Sequence, residues 1–161
     1  INNILALFGI EGPSWLQSSK WAMPAIVLAS IWKDMGYFGL MLMSGLQGIN
    51  QEYYDAAAID GAGKIKQFTR ITLPLLTPTL FFVLIISLIN SFQLFTQIMI
   101  MTPDGGPLGS TMVMVERIYK CGFRYYEMGT AAAYSWILFA ILLLLTMVQM
   151  KLQNKWVNYD D

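Results

Sequence analysis

The side chains that could do chemistry in this chain are few. Its 161 residues include no histidine and one cysteine, Cys121. An internal disulfide and a His-based acid–base relay are thereby excluded, and a transition-metal site is not expected. No segment sets a nucleophile beside a base, and Cys121 reads as an inert packed thiol. No catalytic residue, metal or cofactor is therefore expected. What remains is hydrogen bonding in an apolar setting. Within "SLINSFQLFTQIMIM", Asn90, Gln93 and Gln97 recur three and four residues apart, which on a helix places their amides on one face. Two readings stay open for that face. It can tie neighbouring helices together, or it can bind a polyol, which asks for neutral donors and acceptors plus an aromatic ring face such as Phe92, Phe95, Tyr134 or Trp136 offers.

The elements that would carry these groups are membrane helices. Hydrophobic residues make up 56% of the chain, charged residues 12%, and the mean hydropathy is +0.52, against about 25% charge in soluble domains. Ten basic and ten acidic residues cancel, so no basic field points to nucleic acid. A bilayer core needs about 20 helical residues. Residues 75–101 meet that length inside a charge-free window from Ile71 to Pro103, and residues 129–150 meet it before Lys151 and Lys155, with Trp156 as an interfacial anchor. A first span over about 22–46 carries Lys33 and Asp34 near its middle. It is either two shorter pieces or charges snorkelling at an interface, or else one span whose charges face a protein-lined or watery interior. Three spans put the termini on opposite sides and are few to enclose a solute path, so more helices are expected. The chain starts at Ile1, and "INNILALFGIEGPSWLQSSK" lacks a signal-peptide layout, so it reads as a fragment.

Residues 48–74 form a polar loop containing "EYYDAAAIDGAGKIKQFTRITLP". Asn50 can cap a helix whose first turns hold Glu52 and Asp55, where the positive end of the helix dipole favours acids. Ala56, Ala57 and Ala58 give that helix high propensity and a surface of little bulk. Gly61 and Gly63 end it. From Lys64, the spacing of Ile65, Phe68, Ile71 or Thr72, and Leu75 predicts a second, amphipathic helix, and Pro74 predicts a bend into the membrane. A passive connector needs only about two to eight residues, so a docking element is the better reading of so long a loop. On the other side, residues 102–128 begin with a "TPDGGP" turn, and Glu116, Arg117, Lys120, Arg124 and Glu127 read as a solvated rim with docking as a second role.

The polar loop resembles the EAA motif of ATP-binding-cassette importer permeases: an acid, two alanines, a glycine after three residues, then Ile-x-Leu-Pro after nine more. Here these are Asp55, Ala56, Ala57, Gly61, Ile71, Leu73 and Pro74, with Asp55 where the family usually has glutamate. Together with "YYDAAAIDGA", "ITLPLLTP", "TPDGGPLGST" and "GTAAA", it is similar to the carbohydrate-uptake branch, and "INNILALFGI" and "SWL" resemble the external loop before the fourth span. The resemblance implies an all-α, polytopic membrane protein of a prokaryotic cell membrane, the C-terminal half of a six-helix permease fold, without enzymatic activity of its own.

It further implies a cytoplasmic ATP-binding subunit dimer docked at Glu52, Asp55, Ala56, Ala57, Gly61 and Pro74, a second homologous permease subunit, and an extracellular or periplasmic solute-binding protein meeting the "TPDGGP" face. Spans bearing Asn90, Phe92, Gln93, Gln97 and Tyr134 would line the path. The 48–74 loop and the tail would lie inside, and the N-terminal stretch and residues 102–128 outside. Charge leaves this orientation to the resemblance, since five basic residues inside (Lys64, Lys66, Arg70, Lys151, Lys155) face four outside (Lys20, Arg117, Lys120, Arg124). A channel or secondary transporter with no ATPase coupling is the alternative.

Overall fold

A computed structural model describes residues 2–9 and 11–157, excluding the side chains of residues 4, 5 and 154–156. The anchoring expected of Lys155 and Trp156 lies outside the described residues. Every regular element among those described is helical: α1 (Asn2–Leu7), α2 (Ala22–Gln47), α3 (Gln51–Ile59), α4 (Lys64–Gln67), α5 (Leu73–Leu75), α6 (Thr77–Phe92), α7 (Thr96–Met101), α8 (Met114–Tyr119) and α9 (Met128–Trp156). Single π turns at Phe68–Thr72 and Lys120–Arg124 continue α4 and α8. The chain divides into two compact units, one of Ile1–Lys33 with Asn90–Ile141, the other of Asp34–Ile89 with Leu142–Asp161.

Helices α2 and α9, with 26 and 29 residues, rise about 39 and 43 Å, enough to cross a bilayer core of about 30 Å. Trp32 on α2 and Trp136 on α9 are 80% and 71% exposed, an apolar surface that water would not favour and lipid or partner helices would. Of the readings for the first span, two broken pieces are ruled out, because α2 runs without a break through Lys33 and Asp34. Neither of these two charges is without a partner.

The second apolar stretch departs from the expected single helix over 75–101. Helix α6 ends at Phe92, residues 93–95 are not helical, and α7 begins at Thr96. No proline or glycine marks this break, so its cause is tertiary. Phe95, with φ −127° and ψ −57°, packs its ring 5.2 Å from that of Tyr119, and Ile98 becomes fully buried. Packing overrides helix propensity here.

The bend expected at Pro74 also falls elsewhere. Leu73 keeps helical dihedrals (φ −65°, ψ −44°) although a proline follows, because the π turn shifts its amide onto the Phe68 carbonyl. The direction changes by 61° at Leu76 instead, between Lys64–Leu75 and Thr77–Phe92. Pro78 explains the position. Lacking an N–H, it cannot bond the Pro74 carbonyl four residues back, and the Thr77 hydroxyl donates to that carbonyl in its place at 2.6 Å. In the same unit, α2 closes on α6 at Gly45, where a Cβ would overlap the side chains of Thr79 and Leu76.

Candidate functional site: a polar loop and a broken helix

The 51–59 helix is built by local rules. The Asn50 side chain accepts from the Glu52 amide at 3.1 Å, capping α3 and leaving Glu52 exposed in the first turn. At the other end the Ala62 amide donates to Ala57 O at 2.9 Å and the Gly61 amide to Ala58 O at 3.0 Å, the paired bonds of a Schellman ending. Gly61 adopts φ +73°, which is unstrained for glycine. The carboxylate of Asp55 accepts from Gln51 Nε2 at 3.3 Å and stays exposed, as does Ala56, whereas Tyr54 and Ala57, one turn apart, face inward. Pro74 is half-buried at the far end of the loop. The amphipathic stretch is only partly covered: Ile71 and Leu75 are half-buried, but Ile65 and Phe68 are exposed, as is Ile59 at the end of α3. The loop thus presents acids on and just after α3, bases at Lys64, Lys66 and Arg70, a small-residue surface and bare isoleucines outward, a combination suited to a partner with an apolar cleft and charges of both signs at its rim.

The polar residues of the second stretch are rearranged by the break. Asn90 sits near the end of α6, Gln93 in the break and Gln97 on α7, so the three amides do not share one helix face. Asn90, Phe92 and Gln93 are exposed, Gln97 and Tyr134 half-buried. The structure brings Gln97 together with Lys33, a pairing that sequence spacing could not reveal. With Thr96, Ile100 and Met101 they line a concavity of about 450 Å³, where an ammonium and an amide can donate to a polar solute from an otherwise apolar wall. Phe95 is not available for stacking on a solute in the way expected, since its ring packs on Tyr119, itself stacked on Phe123 at 5.5 Å. Trp136 meets Phe139 edge-on at 5.7 Å in a second concavity of about 480 Å³.

In residues 102–128 the solvated-rim expectation holds for the exposed Arg117, Arg124 and Glu127 and is corrected at Glu116 and Lys120. Glu116 is fully buried and Lys120 nearly so, with Lys120 Nζ 3.0 Å from Glu116 Oε1. The turn folds over this pair: Thr111 bonds Thr102 through its hydroxyl at 2.8 Å, and a Cβ on Gly105 would lie 3.6 Å from Glu116 Oε2. Arg124 pairs with Asp104 at the surface, and Lys120 reaches Asp104 at 3.7 Å. Hydrogen bonding and charge attraction from Arg124, with a smaller contribution from Lys120, hold the Asp104 carboxyl below its ordinary 3.8. The stabilisation from this pair is therefore present above 3.8 and lost as pH falls through the depressed value. On acid titration the Arg124 side-chain NMR resonances should move with a midpoint below 3.8; a midpoint at or above it would show that the pair does not persist in solution.

Residues 1–159 match the family described as the binding-protein-dependent transport system inner membrane component. The chain belongs to this family. Among curated members it is 35% identical to the probable ABC transporter permease protein YesP of Bacillus subtilis, over 100% of this chain and 52% of that one. It is 38% identical to the sulfoquinovosyl glycerol transport system permease SmoG of Agrobacterium fabrum, over 94% and 49%. The chain thus spans about half the length of the curated relatives it matches. In fold it superposes on a bacterial ABC transporter that imports alginate with a TM-score of 0.82 at 24% identity, covering 96% of this chain and 54% of that one. An inner membrane component of all-helical architecture is what composition and the long apolar helices point to, and family membership makes the outward face of the 48–74 loop and the broken second stretch the places to look for function.

Proposed function

We propose that the chain is part of the membrane-spanning permease subunit of an ATP-binding-cassette importer, the C-terminal half of its six-helix fold, with no enzymatic activity of its own. The observation that carries this reading is the 48–74 loop: a capped helix with Asp55, Ala56 and Gly61 turned outward and bare isoleucines beside them, set between two long apolar segments. A pair of ATP-binding subunits docks there, a second homologous permease completes the path, and a solute-binding protein delivers cargo at the "TPDGGP" face. The cargo is a sugar, oligosaccharide or related polyol, in keeping with the sulfoquinovosyl glycerol and sn-glycerol-3-phosphate named for relatives. Within the path, Asn90, Gln93 and Gln97 supply neutral hydrogen bonds, with Phe92 and Tyr134 as ring faces.

The full-length complex reconstituted in liposomes tests this with radiolabelled glycerol 3-phosphate and a panel of glycosides. ATP-dependent uptake of at least one is expected; solute movement that persists without the ATPase subunits would establish a channel or secondary carrier instead. In the same assay Gln93→Leu should raise the concentration for half-maximal uptake roughly three- to tenfold, the worth of one hydrogen bond, with assembly intact. Unaltered uptake with Asn90, Gln93 and Gln97 all made apolar would remove them from the path.

A further inference from the structure

The coupling helix is poorly connected to the membrane through its own backbone. Before α3 the chain passes through a turn at Gly48 and Ile49, whose amides reach Gly45 O and Leu46 O at 3.3 Å, and after it comes the Gly61–Gly63 turn. A push on α3 would be absorbed at either turn. One side-chain bond bypasses both. The Tyr54 hydroxyl lies 2.9 Å from Thr72 Oγ1, across 18 residues of sequence. Thr72 is only 8% exposed and Tyr54 half-buried, so water competes little for either group and the bond is stronger than one at the surface.

Position makes this bond mechanical as well as structural. Tyr54 and Ala57 form the inward side of α3, while Asp55 and Ala56 face out, so one helix carries a docking face and a tie on different sides. Thr72 closes the π turn, and its carbonyl accepts from the Leu76 amide at 2.9 Å, the residue at which the chain turns by 61° into α6. Any displacement of α3 is thus delivered to the residue that holds the elbow of the second span.

Building on the reading that this loop docks an ATPase, we propose that the Tyr54–Thr72 hydrogen bond is the strut that makes the coupling helix and the second span move as one body, and that Tyr54 is a positioning residue for transport. Tyr54→Phe removes one hydroxyl at almost constant shape, Thr72→Val removes the other, and Thr72→Ser keeps it. Losing one such bond lowers the share of linked conformers about fivefold.

The test uses the full complex with its ATPase subunits in nanodiscs, in a Cys121→Ser background, with spin labels at Ala58→Cys and Leu84→Cys. Distances are measured without nucleotide and with ATP plus orthovanadate. The parent and Thr72→Ser proteins should give one narrow distribution, the same in both states. Tyr54→Phe and Thr72→Val should broaden it and let it shift on trapping, with ATPase subunits still bound, and the double variant should be no worse than either single one. Distributions in both single variants identical to the parent in both states would overturn the strut, as would loss of ATPase binding in Tyr54→Phe, which would place the tyrosine on the docking face. If the unlabelled parent complex itself binds no ATPase, the docking reading fails first and the strut falls with it.

Discussion

Gly61→Leu is expected to abolish solute-stimulated ATP hydrolysis in the reconstituted complex while the subunit inserts normally. Two effects contribute, and they can be separated. A side chain at φ +73° is strained by about 1–2 kcal/mol, which loosens the Schellman ending of α3. The second effect lies outside this chain, because a Cβ at Gly61 meets nothing within 4 Å. The first carbon of a side chain there has open space around it, so added bulk is felt chiefly by a docked partner. Gly61→Asn isolates this effect, since asparagine tolerates the left-handed conformation yet still adds a side chain. Stimulation lost in both variants locates the requirement at the docked surface; stimulation lost in Leu and kept in Asn locates it in the helix ending. Asp55→Lys, which reverses the exposed charge without touching the backbone, should also abolish stimulation. Full stimulation in Gly61→Leu and Asp55→Lys together would remove the loop from coupling.

The second large effect belongs to Lys120. Glu116 is fully buried, its Oε1 meets the ammonium at 3.0 Å without a well-directed hydrogen bond, and Oε2 has no hydrogen-bond partner among the described residues. The ion pair is thus the main compensation for a buried charge. Lys120→Met leaves that carboxylate uncompensated and should destabilise the 102–124 region by about 3–5 kcal/mol, whereas replacing both members by apolar groups should recover most of the loss. Asp104→Asn, at the exposed end of the same cluster, should change little, because solvent screens that pair. Hydrogen exchange over residues 102–124 in the purified complex is the measurement. Equal, small effects for Lys120→Met and Asp104→Asn would show that Glu116 is hydrated in solution.

The contrast between these sites shows what a sequence can reveal. The α3 helix was legible because its cap, its acids and its glycine ending act over three to five residues. Burial of Glu116 was not. The sequence groups Glu116, Lys120 and Arg124 as charges of one rim, but whether they meet water depends on the 102–111 turn folding over them. The break at 93–95 was hidden for a similar reason, since Phe95 leaves the helix for a ring 24 positions away in the chain. The elbow lay between: Pro74 announced a bend, but the missing N–H of Pro78 and the Thr77 hydroxyl that donates to the Pro74 carbonyl in its place put it at Leu76.

That broken stretch has a further consequence for the bilayer. Sixteen residues of α6 rise about 24 Å, less than the roughly 30 Å of hydrocarbon. In a membrane, the residues at 93–95 that leave the helical ladder would then lie deeper than headgroups reach; the Phe95 carbonyl still accepts from the Met99 amide, and lipid tails offer no partner to any group left unmet, at a cost of several kcal/mol each. That depth must be wet or protein-lined. The interruption therefore marks where the lipid seal around this chain has to give way to an aqueous or protein-filled interior.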